Sequence, residues 1–153
     1  MTSTQGQSTA RGSREPFVLD RGQCLAFLPS VRIGRIILPG ATPGPAAVLP
    51  VNFVLDGDQI VIRTGEGTIL AAARGGAYVT FQADAIEETD GGRGWSVTVA
   101  GPAHEATGTV RHWLEGLTLA PIAGGTREHF VLIPDESIEG RWVGTPATHD
   151  SDR

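Results

Sequence analysis

PVNFVLDGDQIVIRTGEGTILAAA, residues 50–73, is the stretch whose reading sets the architecture. Its first part, within AAVLPVNFVL (46–55), is a strand rich in β-branched residues. Pro50 inside it points to a strand edge, a bulge, or a backbone carbonyl turned toward a ligand. Asp56-Gly57 is a strong hairpin signal, and QIVIRT (59–64) is the returning strand. A loop with Gly65 and Gly67 follows. Thr68 to Arg74 then reads as a short helix closed by Gly75-Gly76. A tight hairpin that runs straight into a helix argues for an antiparallel β protein with short helices at its corners.

The flanking sequence extends that pattern. Asp20 is a plausible helix N-cap, followed by Leu25 and Leu28 with Cys24 beside them, before Pro29. VRIGRIIL (31–38) is a strand, and PGATPGP (39–45) is a loop by composition. AYVTFQADAI (77–86) alternates Val79, Phe81, Ala83 and Ala85 with Tyr78, Thr80, Gln82 and Asp84. TDGGRG (89–94) is a turn and WSVTVAGPAHEAT (95–107) a further strand. TVRHWLEGL (109–117) reads as a second helix with Val110, Trp113 and Leu114 packed on the barrel. PIAGGT (121–126) is a loop, and HFVLIPDESIEGRWV (129–143) is a strand or strand pair interrupted at Pro134. Roughly six strands with corner helices predict a small antiparallel β-barrel, a closure that removes exposed strand edges.

Composition agrees. The chain has 153 residues, enough for one domain with one sizeable core. It is 40% hydrophobic, with 21 Gly and 10 Pro, a turn-rich balance. Residues 1–16 are expected to be a disordered segment, 17–143 the folded domain, and 144–153 a disordered tail. The net charge is −5 with no basic block, which argues against nucleic-acid binding. With a single cysteine, no disulfide framework is possible within one chain. No apolar run reaches membrane-span length, and the first residues lack the apolar core of a secretory signal, so a cytoplasmic, non-membrane protein is expected.

The loop after residue 64 carries the chemistry. Arg63 offers a planar fork that matches phosphate oxygens. Thr64 adjoins it, glycines at 65 and 67 let backbone come close, and Thr68 is placed to cap the next helix. Together these read as a phosphate socket. The alternative is a hairpin followed by a capped helix with Arg63 in solvent, and spacing does not separate the two. The stretch is neither a P-loop nor a dinucleotide-binding glycine fingerprint.

The ordered set Gly34-Arg35-Ile36, Pro50-Val51-Asn52-Phe53, Asp56-Gly57, Ile62-Arg63-Thr64, Gly67-Thr68, Gly94-Trp95-Ser96-Val97, Gly101 and Glu139-Gly140-Arg141 resembles the pyridoxamine 5′-phosphate oxidase-like split-barrel proteins. The resemblance runs from about Leu19 to Val143. It implies a split β-barrel of antiparallel Greek-key, FMN-binding type. It also implies a homodimer with two cofactor sites at the interface. The implied cofactor is FMN, with F420 or haem in some branches. On this resemblance Pro50, Val51 and Asn52 would meet the flavin ring, largely through backbone. Arg63, Thr64 and Thr68 would hold the phosphate. Trp95, Ser96, Arg141 and Trp142 would approach from the partner subunit. The sequence departs from the pattern at Ile69, where relatives commonly place Lys.

Other chemistries fare worse. His104, His112, His129 and His149 show neither HExxH nor paired i, i+4 spacing, so no metal site is expected. Ser30 and Ser96 lack a nucleophile-elbow context. Cys24 reads as a core residue. Two classes remain: a flavin- or deazaflavin-dependent oxidoreductase acting on a small molecule, and a non-catalytic flavin or haem carrier with a degenerate phosphate site.

Overall fold

A computed structural model describes residues 17–40, 43–88, 91–116 and 129–144. The expected terminal segment 1–16, the loop 121–126 and the tail beyond Gly144 lie outside them. Among the described residues the chain forms β1 (Phe17–Leu19), α1 (Arg21–Phe27) running into a 3-10 turn (Leu28–Ser30), β2 (Ile33–Leu38), β3 (Ala47–Asp56) and β4 (Gln59–Thr64). Then come α2 (Thr68–Arg74), β5 (Tyr78–Glu87), β6 (Arg93–Pro102), β7 (His104–Glu105), α3 (Gly108–Leu114), β8 (His129–Pro134) and β9 (Ser137–Gly144). All pairings are antiparallel, in the order β1-β9-β6-β5-β2-β3-β4-β8-β7. Nine strands replace the expected six. The differences are the short β1, the break of the expected strand 95–107 into β6 and β7, and the division of the last segment at Pro134 and Asp135, as its strand-pair reading allowed.

The wall is a split barrel, and β3 is where it divides. Its residues 47–52 pair with β2 and its residues 53–56 with β4. At Pro50 no described strand therefore lies on the side away from β2, so the missing proline N–H leaves no ladder bond unmade there. The far seam closes where β6 meets the end of β8. Gly101 makes that approach possible, because a Cβ there would collide with the Pro134 carbonyl oxygen.

Side chains on alternate positions of every strand fill the interior. Ile36, Phe53, Ile62, Phe81, Val97, Val99 and Val131 are almost fully buried, and Phe53 meets Phe81 edge-on at 4.7 Å. A second, smaller core lies outside β4 and β8, where Val61, Phe130 and Leu132 are covered by Ala106 and Leu114. That corrects the expectation for α3. Leu114 is buried, but Val110 and Trp113 are 50% and 55% exposed. The three positions share one helix face, but of them only Leu114 reaches the small core outside β4 and β8.

Asp20 caps α1 in a full capping box: its carboxylate accepts from the Gln23 N–H, and the Gln23 side chain accepts from the Asp20 N–H. Thr68 does not cap α2. Gly67, at φ 150°, is the N-cap, and Thr68 is the first helical residue. The glycine takes the place because the chain must reverse sharply from β4 into the helix, in a conformation costly for any side chain. No described helix is long and apolar enough to cross a membrane.

Candidate functional site

The loop joining β4 to α2 gathers several predicted site residues. Phe53 pairs with Ile62, so Asn52 and Arg63 are the next positions along the two strands as the ladder ends. Arg63 is exposed, and its guanidinium carbon lies 5.7 Å from the Phe130 ring centroid, a cation–π distance. Thr64 is buried opposite His129 in the β4–β8 register. Thr68 is exposed at the start of α2. Ile69 is half-buried and packs on the main core. In β3, Pro50 is exposed, Asn52 half-buried, and Val51 turned into the core. Arg63, Thr64, Thr68, Pro50 and Asn52 thus lie around one corner, while Val51 and Ile69 support it from beneath.

A charged clamp that the sequence reading did not assemble braces this loop. Glu66 stands between the two loop glycines. Its carboxylate is 3.1 Å from His129 Nε2 and 3.8 Å from an Arg74 guanidinium nitrogen. Arg74 also donates through Nε to Glu105 at 2.8 Å, and His129 Nδ1 lies 3.2 Å from the same carboxylate. The hydrogen bond and charge of Arg74, with those of His129, hold the Glu105 carboxyl below its ordinary range. The hydrogen bond with Glu105 likewise holds Arg74 above its own. Four elements meet here: the loop, α2, β7 and β8. A wide sequence separation hid the cluster, although His129 stood out singly. No group of His, Cys, Asp and Glu among the described residues is arranged to hold a metal ion.

Trp95 and Ser96 are consecutive in β6 and so face opposite ways. Trp95 is 5% exposed and stacks on Phe27 of α1, with centroids 5.4 Å apart. Its cross-strand partner Trp142 is tilted against the same ring at 5.9 Å. Within one chain these tryptophans seat α1 on the barrel.

Ser96 instead lies on the outer face, paired with Asp84 on one side and Arg141 on the other. A polar network crosses that face. Arg35 donates to Gln82 at 2.8 Å, and Gln82 donates to Asp84 at 2.9 Å and to Ser96 at 3.2 Å. Around it stand exposed apolar side chains, Ile33, Val48, Tyr78, Ile86 and Val143. Following the register, Ser96 is four strands from Arg63, about 19 Å at ~4.8 Å per strand. Along the sheet, Ser96 and Arg63 are thus separated by four strand steps.

Known proteins place the chain. A sequence model described as pyridoxamine 5′-phosphate oxidase matches residues 20–142. An uncharacterised protein of Mycobacterium tuberculosis is 28% identical over 112 residues, 70% of this chain and 72% of that one. Among solved structures, a candidate pyridoxamine 5′-phosphate oxidase of Corynebacterium glutamicum superimposes with a TM-score of 0.69 at 26% identity, covering 86% of this chain and 95% of its own. An FAD-binding protein of Mycobacterium smegmatis gives 0.68 at 27% identity, covering 83% and 97%. With a family match across nearly the whole described domain and the split barrel to go with it, the chain belongs to the pyridoxamine 5′-phosphate oxidase-like family.

Proposed function

We propose that the protein is a flavin-binding oxidoreductase acting on a small molecule, with its cofactor held between two copies of the chain. The observation that carries this reading is the corner at the end of β4. There a guanidinium, a threonine hydroxyl and a two-glycine loop adjoin the part of β3 that has no described strand on its outer side. Donors of that chemistry suit a phosphate, and an open strand edge suits the polar rim of a flavin ring. The relationship to an FAD-binding protein at 27% identity supports the same ligand class. FMN is the flavin implied by the family resemblance, and F420 the deazaflavin. When bound, the flavin supplies electron or hydride transfer. The protein's residues bind and orient it: Arg63, Thr64 and Thr68 at the phosphate, Pro50 and Asn52 at the ring.

The distance between the two residue groups supports a second copy. A two-fold partner laid on the outer face carries its Ser96 and Arg141 toward the Arg63 corner of the first copy. The exposed apolar residues of that face support its burial. A cytoplasmic location belongs to the same reading. Ile69, packed on the core where a cation would serve the phosphate, favours a second reading: a non-catalytic flavin or haem carrier of the same fold.

The visible spectrum of freshly purified protein tests both. An oxidised-flavin spectrum, or saturable binding on titration with FMN, FAD or F420, is expected. Absence of binding to all three removes the redox reading, and haem binding alone selects the carrier. Reduction of the bound flavin by a reduced nicotinamide, followed by reoxidation with a small acceptor, separates an enzyme from a flavin carrier.

A further inference from the structure

We infer that His129, as an imidazolium held between Glu66 and Glu105, is a positioning residue of the loop after β4, and that loss of its proton frees the loop and weakens its hold on a phosphate-bearing ligand. The tether is a property of the chain alone; the ligand rests on the flavin reading above. His129 opens β8 opposite Thr64, where β4 ends and the loop begins. Its Nε2 lies 3.1 Å from the Glu66 carboxylate and its Nδ1 3.2 Å from that of Glu105. A neutral imidazole carries a proton on one nitrogen and a lone pair on the other. Whichever tautomer forms, the lone pair repels the carboxylate oxygen beside it. Both contacts are attractive together only when both nitrogens carry protons.

Among the described residues, the charged groups that face this ring come from three elements. Glu66 belongs to the loop, Glu105 to β7 and Arg74 to α2, and Arg74 contacts the same two carboxylates. Arg63 and His104 each lie one strand position away from Thr64 and Glu105 and so face the other way. The third helix, α3, covers the opposite side of β8, where Leu114 meets Phe130. The Arg74 hydrogen bond holds the Glu105 carboxyl below its ordinary range, so Glu105 stays an anion. An imidazole ordinarily changes charge between about pH 5 and 8. On deprotonation the remaining proton stays on Nδ1, where the contact with Glu105 has hydrogen-bond geometry. Glu105 thus keeps its bonds to Arg74 and His129, while Nε2 turns a lone pair toward Glu66. Glu66, 74% exposed, then has water as the better partner, with only Arg74 at 3.8 Å to hold it. It stands between Gly65 and Gly67, which restrain the backbone little. The His129 contact therefore narrows the loop's conformations in advance, and a preordered loop costs a ligand less to bind. The tether is complete on the acid side and is lost as pH rises.

The test reads the loop in the full chain, without ligand and with it. The Ala71 N–H donates to the Gly67 carbonyl at 3.0 Å, so its hydrogen exchange reports how firmly the loop is anchored. After correction for intrinsic rates, Ala71 protection in the flavin-free protein should be about two- to fivefold higher at about pH 5.5 than at about pH 8. Glu66→Gln and His129→Gln should each abolish that difference while leaving the Ile62 amide of β4 unchanged. FAD, FMN and F420 are then titrated at the same two pH values into the unaltered chain and Glu66→Gln. The ligand's own ionisation is common to both chains and cancels. Affinity should fall toward the higher pH about two- to fivefold more in the unaltered chain. Equal Ala71 protection at the two pH values overturns the inference, whether or not the variants fold, and leaves the flavin reading intact. A difference that survives His129→Gln belongs to another group and overturns it too. The same pH dependence of binding in both chains shows that the proton acts without the tether, and ends the positioning role. No binding of any of the three ligands removes the flavin reading, and the exchange comparison then decides the tether by itself.

Discussion

At the residue scale, the glycine at position 140 shows what a motif residue does physically. Gly140 lies on the inner face of β9, opposite Leu19, and a Cβ there would run into the Cys24 sulfur and sit 3.2 Å from Leu19. Cys24 is completely buried, and burial, with the nearby Asp20 charge, pushes its thiol pKa up. The sulfur therefore acts as a packing atom and not as a thiolate. Gly140→Ala should cost about 1–3 kcal/mol through overpacking, seen as a lower urea midpoint at unchanged slope. Cys24→Ala in the same chain should recover part of the loss, because it removes the atom struck. An additive pair would show that α1 is not seated on this glycine. The sequence made Gly140 visible as one member of an ordered set, but not its reason, which is a sulfur supplied by a helix more than a hundred residues earlier.

At the scale of elements, the features legible in the sequence are those decided within a few neighbouring residues. The β4 strand runs over Gln59–Thr64 as its alternation and the Asp-Gly turn predict, and Asp20 caps α1 through Gln23 three residues on. The seating of α3 was not legible: its pattern offers three apolar positions, and only the surface it meets decides that Leu114 alone is covered. The α2 clamp was hidden likewise, since Glu66, Arg74, Glu105 and His129 become neighbours only once β8 pairs with β4 and β7. That clamp gives a pH dependence. The Glu105 pKa is lowered in the folded chain, first by the Arg74 hydrogen bond, so its contribution is fully present above the ordinary value of 4.5 and is lost as pH falls through the lower folded value. Wild type should therefore exceed Glu105→Gln in urea midpoint by a constant amount above about pH 5, with the difference shrinking toward about pH 3. The margin will be small, because Arg74 is half exposed and solvent screens the pair. A difference that grows on acidification would contradict the clamp.

At the scale of the whole molecule, the outer face of β2, β3, β5, β6 and β9 sets the problem. It carries Ile33 at 51% exposure, Val48 at 57% and Ile86 at 63%, beside the half-buried Arg35–Gln82–Asp84–Ser96 network. Apolar side chains around a satisfied polar network are what an interface with a defined register needs. The apolar area rewards association, and the network penalises any arrangement that breaks its bonds without replacing them. A stable pairing buries about 800 Å² on each partner, which a face five strands wide can supply. Ile33 stands near the middle of that face, in β2, between Asn52 on β3 and the position of Asp84 on β5. A carboxylate there would be buried against its two-fold mate or beside Asp84, and either placement is costly without a partner cation. On the two-copy proposal the unaltered chain is expected to sediment as a dimer and Ile33→Glu as a monomer, with the circular dichroism of the barrel retained because Ile33 lies outside the core. Flavin affinity should fall with the dimer, since a lone copy keeps Arg63, Thr64 and Thr68 but loses the Ser96 and Arg141 of the other. A monomer that binds flavin at full strength would place the whole site within one chain and end the two-copy reading.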